Sequence, residues 1–273
     1  MKPVKFDYAR PSTFEAALEL LSDEARNAKV LAGGQSLGPL LNMRLVRPGL
    51  LVDITGIPEL CRFEDRGAEI AIGACVSHSD IEDLRVPDFT RGALPFVASG
   101  IAYRAVRTRG TLGGSLAHAD PASDWVAILA ALGATVELRG ATGLRAVALE
   151  AFVLGALESD IRHDEILVSA RAPKLGPKAR WGYYKVCRKP GELAQAIGAV
   201  LIDAERDRFR AVIAATEAKP IVIADAKPLL SGDGSFDRST VEALMVRAGL
   251  GDPIDRRVHF VALARAHERA LTQ

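Results

Sequence analysis

The stretch that decides the fold is Leu31-Ala32-Gly33-Gly34-Gln35-Ser36-Leu37, because a stretch of similar make-up follows farther along the chain. That second stretch is Arg109-Gly110-Thr111-Leu112-Gly113-Gly114-Ser115-Leu116. We call them the first and second glycine segments. Glycine lacks Cβ, so a Gly-Gly pair lets the backbone adopt positive φ and approach a ligand, and successive amides then form an anion-binding hollow. Two such segments predict a diphosphate held from both sides, and hence a dinucleotide cofactor.

Known phosphate motifs do not account for these segments, and either one alone also fits an ordinary glycine turn. Gly33 and Gly38 have the spacing of a P-loop, but Pro39 and Leu40 stand where that motif requires Lys and Ser or Thr. Neither segment contains G-x-G-x-x-G, so the Rossmann fingerprint is absent. What remains is binding of a diphosphate by two segments in another fold.

Composition narrows the class of protein. With 35 basic and 34 acidic side chains in 273 residues, the net charge of +1 gives no general attraction to nucleic acid or anionic lipid. The N-terminus lacks the apolar core of a signal peptide, and no apolar stretch is long enough to span a membrane. Cys61, Cys75 and Cys187 are too few and too dispersed for an iron–sulfur site or a disulfide framework. We expect a cytoplasmic protein with no nucleic-acid partner and no transmembrane segment.

The pattern of apolar residues, turns and caps predicts an α+β protein of three units. Residues 1–56 form a small α/β unit and residues 57–173 a second unit that contains the second glycine segment. Residues 174–273 form a C-terminal unit, in which short connections between three strands predict an antiparallel meander, followed by two helices.

Four features locate helix ends. Ser12 with Glu15 has the pattern of a capping box at the first helix. Pro95 is expected to break a helical pattern in residues 88–107. Asp120 and Pro121 have the order favoured at the N-cap and first position of a helix that Gly133 ends.

The segment that follows the second glycine segment holds one imidazole and two carboxylates, at His118, Asp120 and Asp124. We interpret His118 as a loop residue and Asp120 as a helix cap. Asp124 lies in the first turn of the next helix, where a carboxylate either accepts hydrogen bonds from a ribose or adenine or stabilises the helix dipole.

Basic residues leave two further alternatives open. Arg104, Arg107 and Arg109 either grip a phosphate or form a solvated helix end. Lys185, beside Tyr183 and Tyr184, either lies against a cofactor ring or extends over a sheet edge.

The chain resembles a known family in three places, over essentially its whole length. Residues 32–37 with residues 43–48, and residues 109–124, match in order and spacing the FAD-binding medium subunit of the molybdenum hydroxylases, the family of carbon monoxide dehydrogenase and xanthine dehydrogenase. Residues 184–194 contain Lys185 followed by Arg188, Lys189 and Gly191, and are similar to that family's K-x-x-R-K-x-G-D-[FY]-A. One departure is Leu193, which stands where relatives have an aromatic residue that shields the flavin.

This resemblance implies a two-subdomain FAD-binding fold of the vanillyl-alcohol-oxidase (PCMH) type over residues 1–56 and 57–173, with a C-terminal antiparallel sheet-and-helix domain in residues 174–273. It places the diphosphate against both glycine segments, gives Asp124 a contact on the adenosine side and puts Lys185 near the flavin ring. The implied cofactor-binding residues are Leu31, Ala32, Gly33, Gly34, Gln35, Ser36, Leu37, Thr111, Gly113, Gly114, Ser115, Ser123, Asp124 and Lys185; none is catalytic or binds a metal.

The function that the resemblance implies is electron transfer through FAD in an oxidoreductase complex. A large subunit holds the molybdenum cofactor, a small subunit holds two [2Fe–2S] clusters, and the three chains assemble as (LMS)2. Two alternatives remain: a self-sufficient flavin oxidase or reductase, and a scaffold subunit without flavin. The intact Gly-Gly pairs argue against the scaffold. Neither the substrate of the complex nor its electron acceptor follows from this chain.

Overall fold

The computed structural model describes residues 2–273 and has the mixed helix and sheet architecture expected from the sequence. Its strands are β1 (Asp7–Ala9), β2 (Ala28–Leu31), β3 (Leu50–Asp53), β4 (Phe63–Asp65), β5 (Glu69–Gly73), β6 (Thr135–Gly140), β7 (Gly143–Ala148), β8 (Val153–Gly155), β9 (Glu158–Ser159), β10 (Ile166–Pro173), β11 (Arg180–Val186), β12 (Ala196–Asp203), β13 (Arg208–Ala214) and β14 (Ile221–Ile223). Its helices are α1 (Phe14–Ser22), α2 (Leu37–Asn42), α3 (His78–Glu82), α4 (Ala93–Ser99), α5 (Arg104–Arg107), α6 (Leu112–His118), α7 (Asp124–Leu132), α8 (Leu149–Phe152), α9 (Arg238–Arg247) and α10 (Pro253–Leu271).

Three larger sheets follow one another along the described residues, and β8 and β9 form a separate two-stranded sheet. The first is a parallel sheet with the order β1-β3-β2, and the second is an antiparallel sheet with the order β4-β5-β10-β6-β7. The third is the predicted antiparallel meander, extended by a fourth strand that the sequence analysis missed, in the order β11-β12-β13-β14. The exact domain boundaries stay predictions.

The C-terminal sheet is buried on both faces, which ties it to the rest of the chain. On β12, Ala199 and Leu201 belong to the main apolar core together with α7, whereas Val200 packs on the other side with α10. Gly182 and Gly198 allow α10 to lie directly on the strands. A Cβ at Gly182 would be 1.7 Å from the carbonyl oxygen of Ala266, and one at Gly198 would be 2.4 Å from that of Ala262. The C-terminal sheet, which carries Lys185 on β11, therefore lies between α7 and α10.

The structure corrects three predicted helix ends. Thr13, not Ser12, caps α1, since its Oγ1 accepts from the Ala16 amide. Ser123, not Asp120, caps α7, while Asp120 instead accepts from the Ala122 amide in the preceding turn at 2.8 Å. In each case two capping residues stood close together, and local preference does not choose between them.

The third correction concerns Pro95, which lies within the first turn of α4 and does not break it. An amide in the first turn has no partner within the helix, so proline costs little there. The helical pattern is interrupted after Ser99, between α4 and α5. Gly133 ends α7, as predicted, and Ser77 caps α3.

Candidate functional site

The two glycine segments lie in direct contact. A Cβ built on Gly33 would be 2.0 Å from the carbonyl oxygen of Arg109 and 2.8 Å from the Cα of Gly110. A Cβ on Gly114 would be 3.7 Å from that of Ala32. Since backbone meets backbone at Gly33, no other residue fits there without separating the segments. The two segments that the sequence analysis paired therefore lie side by side, and their binding of a diphosphate stays a prediction.

The first glycine segment has amides that remain available to a ligand. Within residues 2–273, the amides of Gly34, Gln35 and Ser36 form no backbone hydrogen bond, and the side chains of Gln35 and Ser36 are exposed. Gly34 has a φ of +71°, the left-handed conformation that glycine adopts readily. This turn from β2 into α2 therefore has the predicted form of an anion-binding hollow.

The second glycine segment differs from the expected hollow. Gly113 and Gly114 lie in the first turn of α6 and neither has a positive φ. The amides of Leu112 and Gly113 donate to the carbonyls of Val76 and Ala74 at 3.0 and 2.9 Å. Gly113 is needed for close packing, because a Cβ there would be 2.4 Å from that of Ala74. The prediction of a second amide-lined hollow with positive φ at this segment was therefore wrong.

A chain of hydrogen bonds leads from the second glycine segment to α7. The hydroxyls of Ser115 and Ser123 are 2.8 Å apart, and Ser123 caps α7 by accepting from the Val126 amide at 3.5 Å. Asp124 is the first residue of that helix. The sequence analysis named all three residues, and the structure brings them together.

Asp124 pairs with two residues of β11. Lys185 Nζ lies 3.0 Å from Asp124 Oδ1 and 3.1 Å from Oδ2, and the hydroxyl of Tyr183 donates to Oδ1 at 2.5 Å. The Lys185 ammonium also donates to the carbonyl of Gly100 at 3.0 Å. Both charged side chains are only 11% exposed, so Lys185 does not extend over a sheet edge into solvent.

Burial and pairing act in opposite directions on Asp124. Loss of solvent raises the pKa of its carboxyl above the ordinary value, and this effect exceeds the lowering by the nearby Lys185 ammonium and the Tyr183 hydroxyl. Burial likewise raises the pKa of Tyr183 well above its usual range, so its hydroxyl remains a donor. Tyr183 was missed as a site residue, although its i, i+2 spacing from Lys185 on a strand places both on one face.

Two of the three arginines after α4 are ion-paired with carboxylates at the end of α3. Arg104 binds Asp83 and Glu82 at 2.6 Å each, and Arg107 binds Glu82 at 2.8 Å. These pairs favour the helix-end interpretation for Arg104 and Arg107. Arg109 is exposed and forms no ion pair with another described residue, and its carbonyl contacts Gly33.

A buried histidine supports the second glycine segment from behind. The indole of Trp125 donates to His78 Nδ1 at 2.9 Å, and the His78 amide donates to the Gly110 carbonyl at 2.9 Å. Burial, with the Arg107 charge, lowers the pKa of His78 to about 4. His78 is therefore neutral near pH 7.

His78 predicts an acid-sensitive fold. The unfolded chain binds a proton at this site below about pH 6.5, whereas the folded chain resists it until about pH 4. Stability supplied by this site is complete above pH 6.5, and about 3 kcal/mol of it is lost as the pH falls to 4. Urea unfolding of the wild type and of His78→Asn across this range should show a shallower pH dependence for the variant; equal dependence would contradict the assignment.

Comparison with known proteins identifies the family of this chain. Residues 4–175 match the family described as the FAD binding domain in molybdopterin dehydrogenase. The chain belongs to this family. Two relatives are caffeine dehydrogenase subunit beta of Pseudomonas sp. (strain CBB1), 38% identical over 206 residues (75% of this chain, 70% of the relative), and the carbon monoxide dehydrogenase medium chain of Afipia carboxidovorans, 33% identical over 99% of this chain and 98% of the relative.

Solved structures extend the likeness to the whole chain. Carbon monoxide dehydrogenase from Hydrogenophaga pseudoflava aligns with a TM-score of 0.87 at 30% identity, over 100% of this chain and 99% of the matched one. Quinoline 2-oxidoreductase from Pseudomonas putida 86 gives 0.86 at 30% identity, with the same coverage. The chain is thus an FAD-binding medium subunit of the molybdenum hydroxylase oxidoreductases, with the PCMH-type fold that the sequence resemblance implied.

The comparisons do not test the individual site residues, which stay predictions. Within residues 2–273 no group of three or more His, Cys, Asp or Glu side chains is arranged to hold a metal ion. No helix among these residues has the length and apolar character to cross a membrane.

Proposed function

We propose that this chain is the electron-transfer subunit of a heterotrimeric molybdenum hydroxylase: its FAD receives electrons from the [2Fe–2S] clusters of a small subunit and delivers them to an external acceptor. The observation that carries the proposal is the contact of the two glycine segments beside the free amides of Gly34, Gln35 and Ser36. Family membership supplies the identity of the ligand.

The site as described fits FAD. The free amides of the first glycine segment would bind the negatively charged diphosphate, and residues 111–115 would close its other side by packing rather than through amides. Asp124 would accept hydrogen bonds from hydroxyl groups of the adenosine portion, and Lys185 would lie near the flavin ring. A diphosphate bound this way is held by rigid backbone on both sides.

Bound FAD would supply the redox chemistry, accepting and releasing electrons, while the protein binds it and controls its surroundings through hydrogen bonds, charge and burial. Near the site, the buried ion pair and the Tyr183 hydroxyl would hold α7 against the C-terminal sheet. We infer that the partners are a large subunit with the molybdenum cofactor and a small [2Fe–2S] subunit, assembled as (LMS)2 in the cytoplasm.

The purified chain tests the proposal. We expect it to bind FAD with 1:1 stoichiometry, with a flavin absorbance spectrum, and to bind FMN far more weakly because FMN lacks the diphosphate bridge. Alone it should be reduced by dithionite but should oxidise none of the substrates of a dehydrogenase complex. Co-expression with candidate large and small subunits should yield one complex in which substrate reduces the flavin.

Two outcomes would replace the proposal. Substrate oxidation by the isolated holo-chain would favour a self-sufficient flavin oxidase. Leu193 keeps this alternative relevant, because it is 70% exposed and stands where the resemblance implies an aromatic residue that shields the flavin. Failure to bind FAD under any condition, with the complex still assembling, would favour a scaffold.

A further inference from the structure

The neighbouring tyrosines of β11 have separate environments. Tyr183 is 4% exposed and donates to Asp124 across the boundary with α7. Tyr184 points to the other face of the sheet, where the guanidinium groups of Arg265 and Arg269 lie 5.0 and 4.8 Å from its ring centre. The two phenols therefore form a matched pair, of which one contacts the proposed FAD site and the other does not.

We propose that Tyr183 is a positioning residue that keeps the Asp124 carboxylate ionised and oriented for FAD. The Tyr183 hydroxyl then determines how far the pH can fall before the affinity for FAD decreases. This inference rests on the proposed function. It adds a residue and a pH dependence to that site.

The geometry of the carboxylate supports this role. Oδ1 accepts from the Tyr183 hydroxyl and lies 3.0 Å from the Lys185 ammonium, whereas Oδ2 accepts the hydrogen bond from Lys185 at 3.1 Å. A ligand hydroxyl that donates to Oδ2 would compete with Lys185 but not with Tyr183. Tyr183 is thus the partner that can hold Asp124 in place both before and after a ligand binds.

The charges around Asp124 are few. From β11 the titratable groups are Tyr183, Lys185 and Cys187, and Cys187 acts on Tyr183. The end of α4 presents the Gly100 carbonyl to Lys185, and α6 presents the Ser115 hydroxyl to Ser123. With burial already raising the pKa of Asp124, loss of the Tyr183 hydrogen bond would raise it further, since that bond favours the ionised form. Protonation would then remove an acceptor and leave Lys185 without its counter-ion.

The test is the dissociation constant of FAD, measured by flavin fluorescence between pH 5.5 and pH 8.5 on the full chain. For Tyr183→Phe we expect binding about tenfold weaker than wild type at pH 5.5 and within about twofold at pH 8.5, because a hydrogen bond to a charged group is worth roughly a factor of ten or more. Tyr184→Phe should follow the wild-type profile. In an Asp124→Asn background, adding Tyr183→Phe should leave the pH profile unchanged.

A purely structural role for Tyr183 would weaken binding equally at both pH values, and that result would overturn the inference. So would a wild-type profile in Tyr183→Phe, or an equal change in Tyr184→Phe. Thermal melting of each variant without FAD separates loss of fold from loss of binding, and the Asp124→Asn pair provides the same test if Tyr183→Phe is unstable. If the wild-type chain binds no FAD, the proposed function fails; if it binds FAD but the profiles coincide, only this inference fails.

Discussion

Replacing Gly33 with alanine is expected to abolish FAD binding at micromolar cofactor. The new Cβ would be 2.0 Å from the Arg109 carbonyl oxygen, so one glycine segment must retreat by roughly 1 Å or more before the atoms reach van der Waals distance. Both obstructing groups are backbone, so no rotamer change relieves the overlap. Loss of two amide bonds to a diphosphate would weaken binding by at least about 100-fold. Equilibrium titration with FAD measures the effect.

Gly38→Ala is the matched control for this substitution. Gly38 lies in α2, nothing stands within 4 Å of a Cβ built there, and alanine is favoured over glycine in a helix. It should bind FAD as the wild type does and melt at an equal or higher temperature. If Gly33→Ala retained wild-type affinity, the two segments would not jointly form the FAD site.

Much of the backbone could be predicted wherever the deciding interactions are local. All three strands predicted for the C-terminal unit are present, and β12 is an example: a continuous apolar run bounded by turns is typical of a strand buried on both faces. Gly133 ends α7 in the left-handed conformation that its residue type favours. The two glycine segments, which lie in contact, could also be paired from the sequence, since each contains a Gly-Gly pair.

The chemical reason for each glycine could not be predicted, because it depends on residues far away in sequence. Gly34 has the expected positive φ, but Gly33 and Gly113 are glycines because Arg109 and Ala74 lie against them. Whether a glycine serves a turn or a close approach depends on the fold around it. The same reason explains the missed contact of Tyr183 with Asp124, which joins β11 to α7 across 59 positions of the sequence.

The caps of α1 and α7 show that a sequence does not determine which of two neighbouring polar residues caps a helix. Ser12 and Thr13 are both acceptable caps, as are Asp120 and Ser123, and a sequence ranks them almost equally. In α7 the choice of Ser123 coincides with its hydrogen bond to Ser115, a contact between two helices that propensity does not contain.

The second large effect is expected at the buried ion pair. Lys185→Met would leave the Asp124 carboxylate without its counter-ion at a site where both side chains are 11% exposed. Removing one partner of a buried pair destabilises a protein by about 3–5 kcal/mol, mainly because the remaining charge is uncompensated. We therefore expect urea unfolding of Lys185→Met at pH 7 to give a free energy of unfolding lower by about that amount.

The double variant Asp124→Asn/Lys185→Met separates charge from packing. If the uncompensated carboxylate causes the loss, removing it should make the double variant more stable than Lys185→Met, even though it lacks one more native group. Acid should also restore stability, because protonation of Asp124 removes the unpaired charge. The loss in the free energy of unfolding of Lys185→Met, relative to the wild type, should therefore become smaller as the pH falls, whereas that of the double variant should not. A deficit that is constant with pH and larger in the double variant would mean that Lys185 stabilises the domain boundary by packing alone.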